Sequence, residues 1–261
     1  MKLTILILVF LIGLVVTPAF AQEGDPRNRH LTFDDFSLTF HRVIARNVGI
    51  TEYAGDSPEI GPGFSDAPHY AVTLYNDTNL PDSLFDTIVS IRVYSLTDLQ
   101  DYSFLMEQVD ALKALLDERP DLAEYLTVEA IENNQQLPFI PTLPHGQLIR
   151  ARAHYVETDE VQGIAYITYS NAAREPFLSN QFSYTFQGLS TDGEYYISAS
   201  MPLTTSLFPA ELEGFDPVAF EAEWPEYLAE SIASLNEAAP EDFEPALGVL
   251  DGLIETFAFA G

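Results

Sequence analysis

The 261-residue sequence contains no cysteine. That excludes disulfides, thiolate metal sites, a cysteine nucleophile and lipid attachment at a bacterial lipobox cysteine. It is also poor in cations, with 11 Lys and Arg against 40 Asp and Glu. Lysine occurs only at Lys2 and Lys113. Beyond Arg174 there is no Lys, Arg or His, while 16 acidic residues fall between Glu175 and Glu255. Such a field repels phosphate backbones and anionic membrane surfaces, so nucleic acid is excluded as a partner. The acidic excess reads first as a solvated surface and second as a surface for cations or a basic partner. Nucleotide-cradling patterns (GxxxxGK[ST], GxGxxG) and the HExxH zinc pattern are missing, so no cofactor and no metal site is expected. After residue 21 no apolar run is long enough to span a membrane.

What is present begins with a secretory signal over residues 1–21. Lys2 supplies the positive start, Leu3 to Val16 the apolar core, and Ala19-Phe20-Ala21 the small-x-small cleavage site before Gln22. Without Lys2, 10 cations face 40 acids, a net charge of 10 − 40 = −30. A cysteine-free exported chain fits a bacterial envelope or medium better than a disulfide-forming eukaryotic route. The expectation is a soluble extracytoplasmic protein with no stable membrane anchor after cleavage. Asn76-Asp77-Thr78 has the form of a glycosylation sequon but reads as a turn.

Residues 22–32 are polar and read as a loose lead-in, with a single α+β domain over 33–261. Strands are expected where apolar residues alternate, at Phe36, Leu38 and Phe40, over His69–Asn76, and over Thr87–Ser95. Residues 54–68 read as a Pro- and Gly-rich loop. Thr97-Asp98-Leu99-Gln100 has the capping-box form before a helix running to Leu116, and Asp121 to Asn133 reads as a second helix. Leu137 to Pro144, with three prolines, must be extended. Further strands follow over Gln147–Glu157 and Gln162–Ser170, then around an Asp192-Gly193 hairpin turn. Pro217–Ala238 reads as a helix kinked or restarted at Pro225, and Pro245–Phe257 as a last helix. Grouped strands and grouped helices predict a mainly antiparallel sheet of about seven strands flanked by about four helices.

The run from Phe182 to Ser200, FSYTFQGLSTDGEYYISAS, together with the Arg152-Ala153-His154-Tyr155 strand and the Pro-rich stretch before it, resembles a family of uncharacterised secreted bacterial proteins. The same hairpin and its flanking order are similar to the PsbP-like fold, an antiparallel sheet flanked by helices. Both resemblances imply a fold, and neither supplies a catalytic motif.

Gly55-Asp56-Ser57 matches the start of a GDS-type esterase motif, which needs a late histidine preceded by Asp. The last histidine is His154 and residue 151 is Ala, so the triplet reads as a turn. The five histidines show no paired metal spacing, and Asp77, Asn79 and Asp82 fail the calcium-loop pattern at Pro81. Arg150, Arg152 and His154 alternate along a strand, which would place them on one face. They form either an anion-binding site or, preferentially, a structural clamp to carboxylates of the C-terminal helices. Tyr166, Tyr169, Tyr184, Tyr195 and Tyr196 read as sheet packing before ligand stacking. The expectation is a secreted, non-enzymatic binding or interaction protein, its partner an unknown protein or small molecule. The alternative is an extracytoplasmic hydrolase with dispersed acid and base residues.

Overall fold

The structure, a computed structural model, describes residues 25–77, 88–212 and 214–260. The signal segment, Thr78 of the sequon, and Asn79 and Asp82 lie outside the described residues. Strands β1 (Asn28–Phe33) and β2 (Phe36–His41) form a hairpin, followed by β3 (Asn47–Tyr53), β4 (His69–Tyr75) and β5 (Val89–Ser95). Helices α1 (Leu96–Leu99), α2 (Ser103–Glu118) and α3 (Val128–Glu132) come next. Then follow β6 (Gln147–Glu157), β7 (Val161–Ser170), β8 (Phe182–Ser190) and β9 (Tyr195–Thr205). The chain finishes with α4 (Pro217–Glu237), β10 (Phe243–Glu244), α5 (Leu247–Ile254) and β11 (Ala258–Phe259). No helix among the described residues is long and apolar enough to cross a membrane.

An eight-stranded antiparallel sheet in the order β3-β4-β5-β9-β8-β7-β6, with β10 beside the end of β9, forms the centre. A separate three-stranded sheet, β1-β2-β11, joins the start of the described chain to its end. The α+β class and the antiparallel sheet follow the sequence expectation. The strand number is larger because β1, β3 and the two-residue strands β10 and β11 escaped it. Residues 28–32, expected to be loose, belong to β1, and β3 is an exposed edge whose outward residues have nothing to alternate against.

Both faces of the large sheet are buried. One face, including Val93, Ile167, Phe186 and Ile197, packs on Trp224 and Leu228 of α4, Leu250 of α5 and Phe257. Gly163 and Gly188 pair across β7 and β8 on this face, and a Cβ on either would come within 2.7 Å of the Phe186 ring. The other face, including Tyr94, Ile164 and Tyr196, packs on Leu105, Val109 and Leu112 of α2 and on Leu137 and Ile140.

The Pro-rich stretch crosses that second face in extended form, as expected, and side chains take the place of strand pairing. Gln147 exchanges both its amide groups with the Leu137 backbone (3.3 and 3.2 Å), and the Tyr166 hydroxyl donates to the Pro138 carbonyl (2.9 Å). The Ile140 N–H donates to Gln187 Oε1 (2.9 Å), and Ser198 donates to the Ile140 carbonyl. An extended segment without such partners would leave buried carbonyls and N–H groups unpaired, at about 1–3 kcal/mol each.

Helix boundaries differ from the sequence reading in three places. The expected capping box at Thr97 is displaced: Ser95 caps α1 by accepting from Thr97 N (3.2 Å), and the helix breaks before Ser103. The second helix divides into a 3₁₀ turn over Leu122–Leu126 and α3. By contrast α4 runs through Pro225 as one helix, anchored on both sides of it by buried Trp224 and Leu228.

Candidate functional site

The β1–β2 hairpin turns through only two residues, Asp34 and Asp35, between paired Phe33 and Phe36. Asp34 adopts φ +50°, a left-handed conformation that Asp tolerates better than most residues. This tight tip projects two carboxylates beside a cleft of about 130 Å³ between the small sheet and the ends of β4, β5 and β9. Val72 and Val93 lie at its buried base.

Six aromatic rings line the cleft, those of Phe33, Phe36, Tyr53, Tyr70, Tyr195 and Phe259. Phe33 meets Tyr70 edge-on at 5.1 Å, and Tyr195 stacks on Phe259 at 4.7 Å with planes 10° apart. The Tyr195 hydroxyl donates to Asp35 Oδ2 (3.3 Å), tying the sheet end to the hairpin tip. Glu52 and Asp98 join Asp34 and Asp35 in the lining, and no Lys or Arg among the described residues lines it. The Tyr53 phenol, hydrogen-bonded to Asp56 and partly desolvated, is pushed up to about 12 and stays protonated.

His69 reaches the cleft from β4, with 8% of its surface exposed. Its ring lies 5.0 Å from that of Tyr53 and 4.7 Å from that of Tyr94. Nδ1 is 2.8 Å from the Ala67 carbonyl, which can only accept, so Nδ1 carries the proton. Nε2 is then an acceptor, and it has no hydrogen-bond partner among the described residues. Desolvation lowers the His69 pKa; the Asp66 carboxylate opposes that shift, with Arg92 adding slightly to it. Asp66 is itself shared by Arg92 (3.4 Å) and the Tyr94 hydroxyl (3.2 Å).

A second recess, about 280 Å³, lies where β6 meets the end of α4 and the start of α5. His154 and Asp251 face each other there at 3.9 Å, and the Tyr184 hydroxyl donates to Asp251. Burial, reinforced by that carboxylate, pushes the Tyr184 phenol far up, so its oxygen is no nucleophile near neutral pH.

The three cations singled out in the sequence do not share a face. Arg150 pairs with Thr168 and His154 with Ala165, so a bulge between Ala151 and His154 adds one residue and reverses the alternation. Arg152 takes φ +55° within it. Arg150 is fully buried on the α2 side, donating to the Tyr125 carbonyl (2.9 Å) and Gln147 (3.4 Å), while its Nη2 has no partner among the described residues. Desolvation lowers its pKa to about 10. Arg152 faces α4 and donates to the carbonyls of Leu235, Asn236 and Ala238 at 3.4, 3.2 and 2.6 Å. Neither arginine meets a carboxylate of the C-terminal helices; helix-end carbonyls replace the expected acidic partners.

Ser57 of the Gly-Asp-Ser triplet caps a 3₁₀ turn and Asp56 accepts from Asp66 N (3.1 Å), so the triplet is a turn. Of the five tyrosines, Tyr166, Tyr184 and Tyr196 are buried, Tyr169 packs on Phe177 at 6.0 Å, and Tyr195 alone lines the aromatic cleft. No group of three or more His, Asp or Glu positioned to hold a metal occurs among the described residues. The cleft escaped sequence reasoning because its lining comes from seven strands; Asp34-Asp35 between Phe33 and Phe36 was its one local signal, and it lacks the glycine that marks most two-residue hairpins. Compared with protein-family models and with curated proteins, the chain matches none.

Proposed function

We propose that this is a non-enzymatic binding protein of the bacterial envelope or medium, and that the aromatic cleft beneath the β1–β2 hairpin receives its ligand. The observation that carries this reading is a concave site walled by rings and edged by carboxylates; the Tyr195 hydroxyl that meets Asp35 there is a phenol whose pKa burial raises, so it keeps its proton. The cleft's serine, Ser95, uses its side-chain oxygen to cap α1.

The hydrolase reading draws on one specific observation, the His154–Asp251 pair in the second recess. Among the described residues Tyr184 is the only hydroxyl side chain lining that recess, and burial holds its proton in place. Binding is therefore the reading the geometry favours. The test is protein-observed NMR of the full chain against a library of small fragments. Hits are mapped through the ring resonances of Phe33, Tyr70 and Tyr195. Hits confined to these rings are the expected result. Hits that avoid them, or hydrolysis of chromogenic esters that His154→Ala abolishes, would overturn it.

A further inference from the structure

We infer that the cleft beneath the β1–β2 hairpin takes a small organic cation, an alkylammonium head group held between aromatic rings and carboxylates. This deepens the binding reading and rests on it.

The walls supply the attraction that selects an organic cation. Phe33, Tyr70, Tyr195 and Phe259 present ring faces and edges within one small space. A desolvated ammonium over such faces gains roughly 0.5–2 kcal/mol from the ring quadrupoles. The charge on the rim points the same way. Asp34, Asp35, Glu52 and Asp98 line the cleft, among the described residues no Lys or Arg of the lining opposes them, and desolvation biases His69 to its neutral form. An anionic ligand meets repulsion from all four carboxylates. A neutral apolar ligand would strip water from them without returning a charge.

A bare metal ion is excluded on different grounds. It needs several oxygen or nitrogen ligands converging on one point, and no such group of three occurs among the described residues. Rings cannot replace them. At about 130 Å³ the space is smaller than the ~300–1,000 Å³ of drug-sized sites, so a head group fits and a large ligand would not. Asp34 holds the strained position at the hairpin tip, and such conformations persist where the surroundings fix them.

The test compares three probes on the full chain by NMR titration in about 0.15 M NaCl, where bulk attraction to the acidic surface is screened. Choline is the cation, 3,3-dimethylbutan-1-ol its uncharged isostere, and glucose a neutral polar control. Choline is expected to shift the Phe33, Tyr70 and Tyr195 ring signals and to bind about tenfold or more tighter than the isostere. Phe33→Leu keeps the apolar volume and removes the ring; it should weaken choline by about 2- to 30-fold and leave the isostere nearly unchanged. Asp35→Asn keeps an oxygen to accept from the Tyr195 hydroxyl and removes the charge, so it should weaken choline and leave the isostere nearly unchanged. Equal affinity for choline and the isostere, or preference for glucose, would overturn the cation and leave a binding cleft standing. If neither choline nor any library fragment moves those rings, the cation and the cleft both fall.

Discussion

The imidazole of His69 lies between the rings of Tyr53 and Tyr94, with its Nδ1 proton committed to the Ala67 carbonyl. Burial lowers its pKa below the usual 6.5, so below that pH the unfolded chain takes up a proton that the folded one resists. Its contribution to stability is full above about pH 6.5 and is lost as pH falls through the depressed folded value. His69→Phe keeps the ring contacts and removes the titration. Urea unfolding of both proteins between pH 7 and pH 5 checks this: the wild type should lose stability relative to the variant, by at most ~1.4 kcal/mol per pH unit. A constant difference between the two curves would contradict it. At this scale composition was legible and orientation was not. The scarcity of cations drew attention to Arg150, Arg152 and His154, but their facing depends on one bulged residue, which no spacing rule announces.

Among the elements, β6 and α4 are joined through that same bulge. Arg152 gives its guanidinium to three carbonyls at the end of α4, and its backbone N–H donates to Asn236 Oδ1 (2.7 Å). Carbonyls there carry the negative end of the helix dipole and otherwise lack partners. Arg152→Gln is expected to destabilise the protein by about 1–3 kcal/mol, read as a lower urea midpoint with an unchanged slope. Arg152→Lys should recover only part, since a point charge cannot fork among three acceptors. Strand β8 shows why much of the sheet could be read from sequence although it is buried on both faces. Phe182, Tyr184 and Phe186 face α4 and α5, while Thr185 and Gln187 face the Pro-rich stretch, where Gln187 Nε2 donates to Thr185 and Ser198 (3.0 Å each). One buried face is hydrogen-bonding, so alternation survives burial. Strand β3 has no such contrast, its last four residues being exposed, and it went unread.

For the whole molecule, the dominant fact is 40 acids against 11 cations. Among the described residues arginine and carboxylate form four ion pairs. Most carboxylates therefore face like charges, and folding draws them together. Raising NaCl from about 0.05 M to about 1 M shortens the screening length from more than 10 Å to about 3 Å, so the urea midpoint at pH 7 should rise. A flat or falling midpoint would show that the acidic excess does not strain the fold. The smaller sheet has a consequence in time rather than in space. Phe36 pairs with Phe259 and Ser37 with Ala258, across nearly the whole described chain. A polypeptide is made from its N-terminus, so Phe33 and Phe36 are in place long before Phe259 is made. Strands β4, β5 and β9 can pair in the meantime. The ring of Phe259 joins only after every other residue of the cleft lining has been made, so the cleft closes later than the sheet beneath it.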